Sequence, residues 1–520
     1  MYRLTYSTMF DPPPELHARF EVALADIRSQ LGARYALYVA DRELTTDTYR
    51  DKHSPIDRDW LLGSFAQADA NHVDLAMDAA RRALPLWRAT PVEQRIEKLR
   101  RVARLIESRV YHIAAALALE VGKNRMEALG EVQETADFFD MYCDDFERQR
   151  FDHLLPNDPL PNAISRNRSV MKPHGVWVVI NPFNFPFALA GGPVAAALVT
   201  GNTVVLKGAS DTPWSGRLLT ECLRDAGLPP GVFNYLSGSG GAIGDALVRH
   251  PSTAGVTFTG SYATGTRIAH LLQTGPYPKP CIAEMGGKNP CIVTANADLD
   301  RAVTGIVRSA YGMGGQKCSA LSRLYVHEAV ADELLARLRT SIAELKIGDP
   351  TVATNWLGPV INAGAQRNFA NYAQRLREGG AEILAGGHVL NSGDYARGYY
   401  VEPTLADSPA DHSLWREEMF LPILMVRRVR DLVDALECAN DSDLGLTAGI
   451  YGSRDEVAYF LEHIEAGVTY ANRAQGATTG AWPGYQPFVG WKGSGNTGKA
   501  IASFYYLAQY MREQSQTIVE

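Results

Sequence analysis

Cys318 lies in Gly314-Gly315-Gln316-Lys317-Cys318-Ser319, where two glycines let main-chain N–H groups converge beside a thiol. Upstream, Glu284-Met285-Gly286-Gly287-Lys288-Asn289-Pro290 presents a carboxylate beside a glycine pair. Asn181-Pro182-Phe183-Asn184-Phe185-Pro186 ends an apolar run in a stiff turn, which sets the Asn184 amide where it could donate to a developing oxyanion. Thr203-Val204-Val205-Leu206-Lys207 places an ammonium at the end of another such run, suited to the ribose hydroxyls of a dinucleotide. Phe258-Thr259-Gly260-Ser261, with Gly265, makes a strand-to-helix turn in which glycine lets the backbone approach a pyrophosphate at a helix start. Gly238-x-Gly240 followed by Gly244 misses the GxGxxG spacing by one residue and carries little weight. Each feature also has a plain structural reading. A free cysteine is usually a small buried apolar residue, an isolated asparagine usually satisfies local backbone, and a strand-end lysine is usually solvated.

The elements that must position these groups follow from periodicity. Between Gly175 and Ile282 short apolar runs alternate with helical segments, and 176–180, 203–206, 232–236 and 256–258 read as strands buried on both faces. That alternation predicts a parallel, doubly wound sheet. A second alternating region runs from about 290 to 467, with strands at 323–327 and 423–426 and helices at 331–345 and 432–439, and predicts a second α/β domain. The Glu284 turn leads from the first unit to the second, and a domain junction is where a cleft lies. Before both, Val73, Met77, Ala80, Leu84 and Trp87 recur at helical spacing behind Asn71 as a cap, giving scaffold helices.

At 520 residues the chain has room for two or three packed units and a deep cleft. A formal charge of -7, spread along the chain, leaves no basic footprint for nucleic acid. The opening residues, with Asp11, three prolines and Glu15, lack the basic start and apolar run of a secretory signal. The longest apolar stretch, 187–201, contains Gly191, Gly192 and Pro193 and falls short of the roughly 20 residues a membrane helix needs, so it reads as a buried helix. The six cysteines are scattered without a CxxC pair or a histidine at ligand spacing, so free thiols and no metal are expected.

Taken together, in this order and spacing, the motifs from about 70 to 495 resemble the aldehyde dehydrogenase superfamily. The resemblance implies an α/β, aldehyde dehydrogenase-like fold: a Rossmann-type parallel-sheet NAD-binding domain (1–150 and 173–287), a second α/β catalytic domain carrying the nucleophile (288–495), and a small oligomerisation arm and tail (151–172 and 496–520). It implies that the Cys318 thiolate attacks an aldehyde, that Asn184 and the Cys318 N–H hold the oxyanion, and that hydride loss to nicotinamide leaves a thioester. Glu284 then matches the base that activates water. Cofactor contacts carry over to Ile180, Asn181, Pro182, Lys207, Gly260, Ser261 and Gly265, and Glu418 and Phe420 match the pair holding the nicotinamide ribose. Two departures stand out: Ser210 replaces the glutamate that many NAD-specific members have three residues after the strand lysine, and the family's Glu-Glu-x-Phe-Gly-Pro reads Glu417-Glu418-Met419-Phe420-Leu421-Pro422. Ser210 removes a carboxylate that would repel a 2′-phosphate, so NAD is expected and NADP admissible.

Thr479-Gly480-Ala481, Gln486-Pro487-Phe488, Ser319 and Phe183 further resemble the branch of that family that oxidises L-glutamate γ-semialdehyde to L-glutamate, the second step of proline catabolism. By that likeness the N–H groups of Gly480 and Ala481 and the Ser319 hydroxyl bind the substrate α-carboxylate, while Phe183 and Phe488 flank its methylenes. Pro487-Phe488-Val489-Gly490 departs from the branch's Pro-Phe-Gly-Gly, and Trp482 and Tyr485 sit inside the anchor loop, where they could reshape the pocket. Glu127 and Glu131, one helical turn apart, offer a partner for the substrate amine but read first as a solvated helix face. The alternatives are another semialdehyde or a simple aliphatic or aromatic aldehyde as substrate, a cofactor-free thiol esterase, and a non-enzymatic protein. Lys207, the Gly260 turn and Glu418 together oppose the esterase, and Cys318, Glu284 and Asn184 oppose the last. The arm and tail resemble those through which family members dimerise, so a homodimer or higher homo-oligomer is expected, without membrane or nucleic-acid partners. The location expected is the cytoplasm, or the mitochondrial matrix in a eukaryote.

Overall fold

In the computed structural model, which describes residues 4–6, 8–159, 161, 163–476 and 482–520, the strands Val176–Ile180 and Thr203–Lys207 are buried at every position. Strands without a polar face belong inside a sheet covered on both sides. These two pair in parallel, from Val176 opposite Thr203 to Ile180 opposite Lys207. The sheet has seven strands, in the order Cys281–Glu284, Thr253–Thr259, Val176–Ile180, Thr203–Lys207, Phe233–Leu236, Leu37–Val39, Arg42–Leu44. The first five run parallel, and the last two are antiparallel additions. Successive strands step away from Val176–Ile180 in one direction, and Thr253–Thr259 then returns to its other side. The topological switch point therefore falls between Val176–Ile180 and Thr253–Thr259, and a crevice opens at their carboxyl ends.

The second sheet also has seven strands, in the order Glu382–Ala385, Thr404–Asp407, Ile423–Val429, Leu321–His327, Asn289–Val293, Thr447–Tyr451, Val468–Ala471. It is parallel except at one edge, where Glu382–Ala385 runs antiparallel to Thr404–Asp407. The segment expected as a buried helix is the helix Ala188–Val199, nearly all of it buried. The helix cap differs from expectation: Ala70–Ala89 is capped by Asp69, whose carboxylate accepts from the His72 main chain at 3.1 Å, and Asn71 is already inside the helix. Aspartate one residue earlier completes a reciprocal box with the His72 side chain, which Asn71 could not.

A third, three-stranded antiparallel sheet joins Met511–Val519, Ser165–Pro173 and Asp152–Leu155. Of the residues from 496 onward, the stretch that pairs with this arm is Met511–Val519, continued by Glu520, which exchanges main-chain hydrogen bonds with Ile164 at 3.2 and 2.9 Å. Ile501, Tyr506, Leu507 and Tyr510 are buried in the core that also holds Trp177 and Val179 of the first sheet. No helix among the described residues is long and apolar enough to cross a membrane.

Candidate active site at the crevice of the first sheet

The crevice is a cleft of about 640 Å³. At one end it is lined by Cys318, Asn184, Phe183, Glu418 and Phe420, and farther along by Lys207, Ser210, Gly260 and Ser261. Ile180, Asn181 and Pro182 form the wall between. The structure thus brings together residues from five separated motifs.

Cys318 follows a short turn, Gly312–Gly315, in which Met313, Gly314 and Gly315 have φ of 53, 64 and 65°. The left-handed backbone at Gly314 and Gly315 favours glycine, and a Cβ at Gly315 would collide with the Leu421 main-chain oxygen. The Cys318 carbonyl is fixed by the Asn289 side-chain amide at 2.7 Å. Burial, with the nearby Glu418 and Glu284 carboxylates adding to it, pushes the thiol up to about 12, so the resting group is the protonated thiol. Asn184 is 3% exposed, and its side-chain amide has no hydrogen-bond partner among the described residues. An unpartnered buried amide facing the thiol's cleft is a donor awaiting an acceptor. The turn that carries it is closed by Asn181 Nδ2, which donates to the Pro186 oxygen at 3.0 Å.

Glu284 ends the strand Cys281–Glu284 and is not among the residues lining the cleft. Its Oε1 is buried without a partner, and burial pushes the carboxyl up to about 8. It lies close enough behind the thiol for its charge to act on Cys318 and on the buried phenols of Tyr142 and Tyr506.

On the far side of the cleft, burial holds the Lys207 ammonium down at about 8, and it donates to the Gly208 oxygen at 3.0 Å. Ser261 opens the helix Tyr262–Gln273. Gly265 does not reach the cleft: a Cβ there would sit 2.5 Å from Met285 Sδ, so its smallness serves close helix–strand packing. The discounted Gly240–Gly244 segment does line the cleft, through Gly240, Gly241 and Gly244. It forms a π-helical turn, which explains why its spacing departs from the usual fingerprint. Glu418 accepts from the Gly287 N–H at 2.8 Å, and Phe420, at φ 56°, sets its ring edge-on to Phe183 at 5.8 Å.

Of the remaining residues, Ser319 and Phe488 are buried near 9% and 8% exposure and line no part of this cleft. Gly480 and Ala481 lie outside the described residues. Trp482 is 1% exposed, donates to Asp137 at 2.8 Å and packs edge-on against Tyr6, whereas Tyr485 faces solvent.

Residues 43–515 of this sequence match the model of the aldehyde dehydrogenase family. The chain belongs to the aldehyde dehydrogenase family. It is 37% identical over 507 residues to 1-pyrroline-5-carboxylate dehydrogenase 1 of Halalkalibacterium halodurans, covering 96% of both proteins. A solved 1-pyrroline-5-carboxylate dehydrogenase from Thermus with bound NAD superposes with a TM-score of 0.93 at 33% identity, over 100% of this chain and 99% of that one. Proline utilization A from Bdellovibrio bacteriovorus superposes with a TM-score of 0.90 at 33% identity, over 96% of this chain and 51% of that one, so the chain spans about half its length.

For an aldehyde dehydrogenase the cleft fits a dinucleotide. A Cβ at Gly240, Gly241 or Gly244 would meet nothing within 4 Å, so bare backbone faces open cleft there, while the Ser261 helix start and Lys207 offer donors to phosphate and ribose. This aldehyde dehydrogenase also holds a buried charge cluster that the sequence reading placed in solvent. Glu127 and Glu131 are 2% and 0% exposed, and Glu127 pairs with Lys317, beside the thiol, at 2.8 Å. Glu131 pairs with Lys123 and accepts from the Phe187 and Ala188 N–H groups at 2.8 and 3.2 Å. The solvated-face reading fails because the helix Arg125–Gln149 is packed on nearly all sides, and a buried carboxylate needs a partner. Lys317 is far from Glu127 along the chain, so no local spacing could reveal the pair.

Proposed function

We propose that this chain oxidises L-glutamate γ-semialdehyde, the open form of 1-pyrroline-5-carboxylate, to L-glutamate with NAD or NADP as hydride acceptor. The observation that carries the reaction is the Cys318 thiol facing the unpartnered Asn184 amide at one end of a glycine-walled cleft. The choice of aldehyde rests on the likeness, over nearly the whole chain, to proteins named 1-pyrroline-5-carboxylate dehydrogenase.

In this reading Cys318 gives up its proton to solvent and its sulfur bonds to the aldehyde carbon, which turns the carbonyl oxygen into an oxyanion. The Asn184 amide and the Cys318 N–H hold that charge, and donors of this kind contribute roughly 3 to 4 kcal/mol each. The adduct expels hydride and becomes a thioester. When bound, the oxidised nicotinamide supplies the acceptor for that hydride. Lys207, Ser210, Gly260, Ser261, Glu418, Phe420 and the backbone from Ile180 to Pro182 hold the cofactor. Once ionised, Glu284 takes a proton from the water that cleaves the thioester, which restores the thiol and releases the acid. By the family resemblance Phe183 and Phe488 flank the substrate chain, and Ser319, Gly480 and Ala481 take its carboxylate; of these, Phe183 lines the described cleft.

The assembly proposed is a homodimer or higher homo-oligomer built through the arm, supported by the exposed apolar side chains Leu154, Ile164, Ile518 and Val519. The location proposed is the cytoplasm, or the mitochondrial matrix in a eukaryote, where free thiols persist.

The test is NADH or NADPH formation from L-glutamate γ-semialdehyde, succinic semialdehyde and hexanal, given separately, with Cys318→Ala as blank. Preference for the first, lost in the variant, is expected. Turnover of the others with indifference to the first would sink the substrate, and turnover of none would sink the dehydrogenase reading.

A further inference from the structure

A second cavity, of about 520 Å³, lies at the root of the arm and shares no lining residue with the cleft. Four cations reach it, each from a different element. Arg88 comes from the end of the helix Ala70–Ala89, Arg95 from the helix Val92–Ser108, Lys172 from the strand Ser165–Pro173 and Arg512 from the strand Met511–Val519. The helices and the arm meet around Gly201, where a Cβ would lie 3.4 Å from Pro173 Cγ, 3.7 Å from Arg95 Cζ and 3.8 Å from Arg88 Cα.

The fold sets these charges against one another. Lys172 and Arg512 stand directly opposite in the antiparallel register, so their side chains project from the same face of the arm, where like charges repel. Neither they nor Arg88 form an ion pair among the described residues. Arg95 is 7% exposed, and its Nε and Nη1 donate to the Val199 and Thr90 main-chain oxygens at 3.3 and 2.8 Å. Those bonds finish the helix Ala188–Val199 and leave Nη2 without a partner among the described residues. Burial holds this guanidinium down at about 10; Glu93 is the carboxylate whose charge opposes that, and no ion pair joins the two. The one carboxylate lining the cavity, Glu513, is bound by the Ser169 hydroxyl and, next to Arg512 on the strand, projects to the other face.

We infer that this cavity binds a small polyphosphate, two or more linked phosphates, held by Arg88, Arg95, Lys172 and Arg512. Charge sets the class of ligand. Four cations against one carboxylate leave a surplus of three positive charges. A single phosphomonoester, at about -1.5 to -2, falls short of that, and a linked pair of phosphates carries more. Guanidinium forks match phosphate oxygens bidentately, and charge-assisted bonds of this kind are the strong ones. The cavity is also larger than one phosphate needs, with Phe146 as an aromatic wall. Bound there, the anion ties both arm strands to the helices of the first domain and removes the repulsion between Lys172 and Arg512.

The experiment is calorimetric titration of the full chain, at low ionic strength, with inorganic phosphate, inorganic pyrophosphate and cytidine diphosphate, repeated for Lys172→Gln and Arg512→Gln. Wild-type protein is expected to bind pyrophosphate or cytidine diphosphate at least about tenfold more tightly than phosphate, and the tighter of the two tells a free polyphosphate from a nucleotide-borne one. Each variant is expected to weaken that ligand by about tenfold or more, the loss of a charge-assisted bond. Both side chains are exposed on the arm, so the variants should fold. Without ligand each variant should melt above the wild type, because the opposed like charges are gone, and saturating pyrophosphate should raise the wild type's melting temperature. No binding by the wild-type chain, or no preference over phosphate, overturns the site. Affinity unmoved in both variants overturns it as well, since the anion then sits elsewhere, as in the dinucleotide cleft.

Discussion

Lys123 Nζ donates to the main-chain oxygen of Asn184 at 2.8 Å, from a side chain with no solvent exposure. The same ammonium pairs with Glu131, and Glu131 in turn accepts from Phe187 and Ala188. One ion pair thus grips both ends of the turn that presents the Asn184 amide. Lys123→Met would leave Glu131 buried and uncompensated, which costs about 3 to 5 kcal/mol when a buried pair is broken. A fall in melting temperature is expected. The double variant Lys123→Met with Glu131→Gln keeps an acceptor for Phe187 and Ala188 without a stranded charge, so stability should largely return while kcat stays low. Recovery of kcat along with stability would show that the pair does not position Asn184.

The Glu284 carboxyl, held up at about 8 by burial, is neutral at pH 7 and becomes a base only as pH rises through that value. Thioester hydrolysis should therefore accelerate with pH and level off above about 8, as expected for a single ionising base. Glu284→Gln should give one burst of reduced cofactor per subunit and no further turnover. The linkage sign is opposite for stability. The unfolded chain loses this proton near the usual carboxyl value and the folded chain only near 8, so Glu284 costs stability progressively as pH rises across that window. Melting curves of Glu284→Gln should lack that fall, and an identical pH dependence in both proteins would show that the carboxyl is not the buried group.

Much of the fold was legible because the relevant strands are apolar on both faces: Val176–Ile180 was read to the residue, and Thr203–Lys207 to within one. The cleft-lining Asn184, Lys207 and Gly260 stand at or just past strand ends, so reading the strands placed them too, whereas Cys318 follows the Gly312–Gly315 turn and precedes the strand Leu321–His327. What stayed hidden has physical reasons. Leu37–Val39 and Arg42–Leu44 are three residues each, too short for alternation to register. Asp69 was missed as a cap because Asn71 is an equally good cap residue by type. Glu127 and Glu131 are charged, and their burial depends on lysines supplied by other segments.

Gly286 is held close to the Glu418 carboxylate, where a Cβ would overlap both carboxylate oxygens. Those oxygens are the far end of a flexible side chain, so Gly286→Ala should fold and move Glu418 off the Gly287 N–H. If Glu418 holds the nicotinamide ribose, the variant should bind NADH several-fold more weakly in a fluorescence titration, with alkylation of Cys318 by iodoacetamide little changed. Unaltered NADH affinity would remove Glu418 from the cofactor site.

The arm pairs Met511–Val519 with Ser165–Pro173 along nine residues, from Met511 opposite Pro173 to Val519 opposite Ser165. Leu154 is 82% exposed and Ile518 54%, on strands flanking the same central strand. Apolar side chains at that exposure on a sheet are a surface prepared for another chain. The homo-oligomer proposed above would form here, through the outer edges of the two strands that flank Ser165–Pro173. Leu154→Glu with Ile518→Glu adds charges without touching the cleft or the core. Light scattering should show the double variant as a monomer where the wild type is an oligomer, with NADH affinity retained. A wild-type chain that is itself a monomer, or a double variant that assembles as before, would place the interface elsewhere.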